Sequence, residues 1–323
     1  MSSRDRALMT EPADGTASTT GTDLPAASML AGTLAVLAGA CVIGFAAILV
    51  KASDLGPQAT AFWRLTLALP ALALWLALHR HGKDTPPGRP DMRLMALAGI
   101  FFALDLAFWH VGIKITTAAN ATLLANLTPI LVALFSWLIF RETVTRSFIL
   151  VCAVMLSGAA LLAGGNLTID PDRLTGDVFS ILTAFWYAAY LLTVRKARDG
   201  ASAPRVIFLS TLIAAPISLA LALAFGETLL PAGWEGWVPL ILLGVVVHAG
   251  GQGAIIFGLG RIPAPLAALL LLVQPIVAAA AGWMLFDEAL SAIQLLGAAI
   301  ILAGLYIAQR KSPAPPPSVP RDP

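Results

Sequence analysis

The stretch ATLLANLTPILVALFSWLIFRETVTRSFILVCAVMLSG, Ala121 to Gly158, returns 146 residues later as AALLLLVQPIVAAAAGWMLFDEALSAIQLLGAAIILAG, Ala267 to Gly304. Aligned without a gap, Pro129 meets Pro275, Trp137 meets Trp283, Phe140 meets Phe286, Glu142 meets Glu288 and Gly158 meets Gly304. In a chain rich in Ala and Leu, matches of those two types carry little weight. Pro, Trp, Phe, Glu and Gly in one register are hard to obtain by chance. If each half holds an odd number of membrane spans, the halves are inverted relative to each other. That geometry lets one site face either side of a membrane in turn, and it predicts a carrier.

Composition sets the class. Of the 323 residues, 58% are hydrophobic and 12% charged, with a mean hydropathy of +0.84. Soluble domains carry about 25% charged residues. The net charge of +2 says little. Cys41 and Cys152 both fall in apolar runs and read as small buried residues. The first apolar run is long enough to cross a bilayer, which suits an uncleaved first helix better than a signal core.

Apolar runs bounded by charge, Pro or Gly predict ten spans, near 30–50, 58–78, 94–114, 118–140, 147–164, 176–195, 205–225, 237–259, 265–286 and 292–309. The predicted fold is an all-α membrane protein of ten transmembrane helices, as two inverted five-helix repeats around a central cavity. The halves are expected at 29–165 and 175–309. Polar or Pro-rich tails, 1–28 and 310–323, carry too little apolar surface to fold. With the N-terminus inside, sixteen Lys and Arg fall on the cytoplasmic side against three outside, Lys51, Lys114 and Arg173. Both termini are therefore expected in the cytoplasm. Glu142 and Glu288 precede Thr145 and Ser291, two expected N-caps, and read as helix-junction residues.

The runs GIKITTAANATLLANLTPILVALFSWLIFRE and GLGRIPAPLAALLLLVQPIVAAAAGWMLFDE, with Leu104 to His110 (LDLAFWH) before the first, resemble the paired EamA domains of the drug/metabolite transporter superfamily. The resemblance covers residues 30–309. It implies a ten-helix inverted-repeat carrier with a central cavity in a bacterial inner membrane, and it leaves the substrate unnamed.

Ionisable groups inside a bilayer cost a few kcal/mol at a helix centre on insertion scales, so each needs a partner or a purpose. The internal set is Arg64, Asp105, His110, Asn126, His248, Gln252 and Gln274, with Tyr187 and Tyr190. Asp105 lies about nine residues, roughly 13 Å, from the external end of its helix, and Arg64 sits at similar depth on the preceding one. Two readings stand: a buried structural Arg64–Asp105 pair or an outward-snorkelling Arg64, against an Asp105 that binds a cationic group or exchanges a proton. Trp109 shares the Asp105 face. His110 is expected at the external interface. His248 and Gln252, in the glycine-rich stretch Ala249–Gly253, either line the site or hydrogen-bond between helices. Asn126 and Gln274 precede the repeat prolines, where a helix-interior Pro frees a carbonyl; they either re-satisfy that backbone or, with a bend at corresponding places in both halves, mark the central cavity. Trp186, Tyr187 and Tyr190 form either a binding wall or packing.

No G-x-x-x-x-G-K-[ST], H-E-x-x-H, G-x-S-x-G or clustered Cys/His set occurs, so no cofactor, metal site or enzyme chemistry is predicted. Basic amphipathic patches for nucleic acid are missing too. The leading expectation is a secondary carrier, an exporter of a small organic metabolite, amino acid or drug. Proton coupling and facilitative exchange both fit. A membrane enzyme acting on a lipid or isoprenoid is the alternative. The small-residue face Ala278–Gly282 suits either a homodimer contact or packing within one chain.

Overall fold

The protein is described by a computed structural model covering residues 26–79, 90–116, 118–141, 144–163, 174–286 and 290–311. Glu142 and Glu288, and most of both expected tails, lie outside the described residues. Among the described residues ten helices are long and apolar enough to cross a bilayer: α1 (Ala27–Ala52), α2 (Pro57–Leu78), α3 (Met92–Ile115), α4 (Ala121–Ile139), α5 (Arg146–Ala163), α6 (Leu174–Ala197), α7 (Ala203–Ala224), α8 (Trp234–Leu259), α9 (Ala264–Met284) and α10 (Ala292–Gln309). Each agrees with its predicted run to within a few residues. Backbone N–H and C=O groups in hydrocarbon must be satisfied within the segment, so apolar runs of this length become helices.

The two five-helix halves, α1–α5 and α6–α10, form an inverted repeat. α3 lies along α6, and its counterpart α8 lies along α1. α2 packs on α7, and α5 on α10. The 146-residue offset extends beyond the quoted stretch, since it pairs Pro70 inside α2 with Pro216 inside α7. It also pairs Phe102 with His248, whose rings stack at 5.1 Å, so the pseudo-two-fold axis runs close to this contact. Small residues bring the backbones together. A Cβ on Gly99 of α3 would meet the Ser210 carbonyl of α7 at 2.7 Å, and one on Gly244 of α8 would meet the Arg64 carbonyl of α2 at 3.1 Å. Arg64 and Ser210 are themselves 146 residues apart.

Local chemistry sets the helix ends. Thr145 Oγ1 accepts the Phe148 N–H at 3.2 Å. Ser291 and Gln294 form a reciprocal capping box: Ser291 Oγ accepts from Gln294 N, and Gln294 Oε1 accepts from Ser291 N at 2.9 Å. At α2 the cap comes from far away. The Glu227 carboxylate accepts the N–H groups of Gln58 at 3.2 Å and Ala59 at 2.7 Å, using donors that a helix start leaves open.

Several spans are interrupted, where the sequence reading expected a bend only near the two repeat prolines. α1 breaks at Gly44–Phe45, and α4 at Asn126–Leu127. α9 passes through a 3₁₀ turn at Leu271–Val273, and α8 is π-helical over Leu242–Gln252. The repeat prolines were expected inside helices. Instead Pro129 and Pro275 stand in the first turn of fresh segments, Thr128–Phe140 and Gln274–Phe286. Pro lacks an N–H and collides with the carbonyl one turn back, whereas the first turn requires neither.

Candidate functional site

The interruptions converge. A cavity of about 90 Å³ sits near mid-membrane, lined from seven helices: α1, α2, α3, α4, α6, α8 and α9. Four repeat-related pairs line it together, Leu106 with Gln252, Thr122 with Ala268, Ala125 with Leu271 and Thr128 with Gln274. Its wall is thus built twice from one motif, once from each half.

Of the sequence candidates, Arg64, Asp105, Trp109, Asn126, Tyr187, Gln252 and Gln274 line the cavity. Arg64 and Asp105 are 3% and 6% exposed, so Arg64 does not snorkel to the interface. Nor do they form the direct pair considered above, because no N–O approach within 4.0 Å joins them. A buried Arg–carboxylate contact would close to about 2.8 Å if the backbone allowed it. Here α2 is pinned at the Arg64 carbonyl by Gly244, and α3 is pinned on α7 at Gly99. The charges face one space from separate, fixed scaffolds.

Other polar groups are left open beside them. Arg64 Nε, Asn126 Nδ2 and Gln252 Nε2 are buried donors without a hydrogen-bond partner. Gln252 is oriented from the other end, its Oε1 accepting from the Tyr187 hydroxyl at 3.5 Å. Buried polar atoms are normally satisfied. A cluster of unsatisfied donors around one cavity therefore marks a place where another molecule's acceptor belongs.

The remaining candidates lie elsewhere. His248 is fully buried behind the cavity wall, its Nε2 2.8 Å from Thr211 Oγ1 and its ring on Phe102. It is an α7–α8 tie, and it supports the lining Phe102. His110, near the end of α3, is fully buried, with Nδ1 2.9 Å from the Pro57 carbonyl, joining α3 to the start of α2. Tyr190 is fully buried against Phe102 and Tyr187, and Trp186 stacks on Phe101, so neither reaches the cavity. The wall on α6 comes from Tyr187 and from Thr183, one turn earlier, which the sequence reading missed. That i, i+4 spacing was its available signal. Gly44, Thr122 and Thr128 were missed as well, since small residues look alike in an apolar run. The glycines of α8 serve close packing: a Cβ on Gly251 would meet Ile43 and Val42 side chains at 3.1 Å, and one on Gly253 would meet Trp75 at 3.0 Å. The Ala278–Gly282 face turns inward, with Ala278 lining the cavity and Ala281 buried. Trp137 and Trp283 are both 55% exposed, as expected for repeat partners facing lipid.

A ten-helix inverted repeat around a largely apolar cavity that holds a few buried polar and charged side chains is the architecture of a membrane carrier. The EamA-like transporter family model matches residues 30–164 and again 174–309, and the chain belongs to that family. It is 31% identical to an uncharacterized transporter of Archaeoglobus fulgidus over 69% of this chain and 78% of the relative. It is 24% identical to the pseudopaline exporter CntI of Pseudomonas aeruginosa over 86% and 95% of the two chains. A protein of Salmonella typhimurium named a probable amino-acid metabolite efflux pump is 27% identical over 68% of this chain and 78% of its own. A solved crystal structure superposes with a TM-score of 0.72 at 20% identity, covering 88% of this chain and 98% of the other, and shares the fold.

Proposed function

We propose that this transporter is a secondary carrier that exports a small organic metabolite across a bacterial inner membrane by alternating access, with both termini in the cytoplasm. The carrying observation is the mid-membrane cavity holding two separated, unpaired charges, Arg64 and Asp105, between repeat-related helices. The sorting of basic residues supports the orientation. The exporter names of relatives in P. aeruginosa and S. typhimurium support the direction.

Packing around the cavity supports alternating access. On the face that carries the termini, the first half of α9 (Ala264–Leu270) packs against the second half of α4 (Thr128–Phe140). On the opposite face, the first half of α4 (Ala118–Ala125) has no comparable contact with the second half of α9 among the described residues. The repeated elements are thus in closer contact on the side of the termini than on the other. Exchanging the two arrangements would carry a bound solute across. Asp105 is the carboxylate in the cavity wall and hence the group at which a coupling proton would bind.

Counterflow and gradient-driven uptake in proteoliposomes test this, with and without an imposed pH gradient, using pooled labelled amino acids, sugars, nucleobases and cationic drugs. Saturable flux is expected. Acceleration by the gradient that disappears in Asp105→Asn assigns coupling to this residue, and gradient-independent flux assigns facilitative exchange. Conversion of a lipid by the purified protein, with no flux of any solute, would replace the carrier reading with the enzyme one.

A further inference from the structure

We propose that the protein holds an anionic phospholipid on its outer wall. One acyl chain lies in a groove between α4 and α5, and the headgroup phosphate engages Arg141 and Arg146 at the turn joining them. Phosphatidylglycerol is the simplest lipid of that class. Only the leaflet, the cytoplasmic one, rests on the orientation proposed above.

The groove has a volume of about 600 Å³ and shares no lining residue with the central cavity. Its α4 wall is Ile130, Ala133, Leu134, Trp137 and Arg141, one helix face at three- and four-residue spacing. Ala133 and Cys152 are buried and form the floor, while Leu134, Trp137 and Ile149 are about half exposed and form the rim. Because α4 ends at Arg141 and α5 begins at Arg146, both walls run back from one turn. From Arg141 to Ile130 the α4 wall is about 16 Å long. Half of a hydrocarbon core is about 15 Å. The groove therefore has the depth of one leaflet.

Charge identifies the occupant. Arg141 is the charged residue of the groove wall, and it stands at the turn end. Arg141 and Arg146 are both exposed. Arg141 caps its helix in the left-handed region, at φ 57° and ψ 23°, where Gly or Asn is usual. Arg146 opens α5, whose first turn holds no acidic residue. A cation at the positive end of a helix is unfavourable until an anion joins it.

The repeat supplies an internal contrast. The turn Arg141–Arg146 carries two arginines and Glu142, whereas its copy, Asp287–Ala292, carries Asp287 and Glu288 and no basic residue. Trp137 and Trp283 keep the same exposure, so the apolar faces match while the charges beside them do not. Contact with bulk acyl chains requires no arginine, whereas basic pockets between helices on the cytoplasmic side suit anionic headgroups. A second copy of the chain fits less well, since a two-fold contact here would bring like-charged turns together.

The test is native mass spectrometry of the purified, delipidated full-length protein. It is titrated with phosphatidylglycerol or phosphatidylethanolamine of identical acyl chains, and separately with glycerol phosphate. The tightest-bound phosphatidylglycerol should be preferred by roughly tenfold or more, since an arginine near a headgroup contributes about fivefold. Arg141→Asn keeps a residue that tolerates left-handed backbone. Combined with Arg146→Gln, it should bring the preference below about twofold. If that double variant fails to fold, Arg146→Gln alone should lower the preference about fivefold. Ala153→Trp, at an exposed position of the groove, should weaken the tightest site for both lipids. Arg93→Gln removes an exposed arginine outside the groove and should change nothing.

Equal binding of the two lipids, a loss in Arg93→Gln as large as in the double variant, or no effect of Ala153→Trp would each overturn the site. Glycerol phosphate binding as tightly as the lipid would make it a free-phosphate site instead. Dimers that Ala153→Trp dissociates would make the groove a contact between copies. Solute flux without lipid preference removes the lipid site and leaves the carrier, and lipid preference without flux does the reverse.

Discussion

The first halves of α4 and α9 descend from one sequence register yet sit in different environments. In α9, Ala267, Ala268, Leu269, Leu270, Leu271 and Leu272 are all less than 5% exposed. In α4, their counterparts Thr122, Leu123, Leu124 and Ala125 are only half-buried, with Ala121 and Asn126 buried. The interruptions differ as well, a hydrogen-bonded turn at Asn126–Leu127, where Leu127 N–H donates to the Leu124 carbonyl at 3.2 Å, against a 3₁₀ turn at Leu271–Val273. Two copies of one element thus show a packed and a loosened form in a single molecule. On the alternating-access reading proposed above, the packed copy in α9 would be the seal and the looser copy in α4 the opening.

The strongest way to break this comparison is to overfill both copies. Ala268→Trp places a large ring in the packed copy and should destabilise by about 3 kcal/mol, the upper range for overpacking. Thr122→Trp, its repeat partner, should cost less than ~1 kcal/mol because its surroundings are open. Detergent-resistant melting of the two proteins compares them, and equal losses would mean that the asymmetry is not real.

A second comparison uses the glycine pair at the α5–α10 crossing. A Cβ on Gly158 meets the Gly297 carbonyl at 2.9 Å, whereas one on Gly304 meets only the flexible Met155 side chain. Gly158→Ala should therefore cost about 2 kcal/mol and Gly304→Ala under ~1 kcal/mol. The reverse order in melting would show that the crossing is packed differently.

Chemical access gives a third and smaller effect. In a background lacking Cys41 and Cys152, a cysteine replacing Thr122 should react with an impermeant maleimide added on the side opposite the termini roughly tenfold faster than one replacing Ala268, corresponding to a bias of about 1.4 kcal/mol toward this state. Equal rates would place the protein between states. The smallest effect is expected behind the wall. Thr211→Val removes the His248 partner and should cost about 1 kcal/mol, with ligand preference unchanged. An altered preference would make His248 part of the site.

Spans, their number and the repeat were legible because they rest on local rules. An apolar run of about twenty residues becomes a helix wherever it lies in a bilayer, and Pro, Trp and Gly in fixed register survive any packing. The site was legible only in outline. Counting polar residues in apolar runs found Arg64, Asp105, Asn126, Gln252 and Gln274, all of which line the cavity. The same count also selected His110 and His248, which instead hydrogen-bond neighbouring helices at Pro57 and Thr211. Helical periodicity cannot tell a side chain facing a cavity from one facing another helix, since both point inward.

By itself, then, the sequence determined ten helices, their inversion and the rarity of buried charge, because membrane hydrophobicity and backbone hydrogen bonding act segment by segment. Only the tertiary structure decided that Arg64 and Asp105 form no direct ion pair, that three amide and guanidinium donors are left unsatisfied in the same cavity wall, and that the α9 copy of the repeated element is packed more tightly than the α4 copy. Those outcomes depend on where glycine contacts let helix backbones approach, which is a property of pairs of helices and is written in no single one.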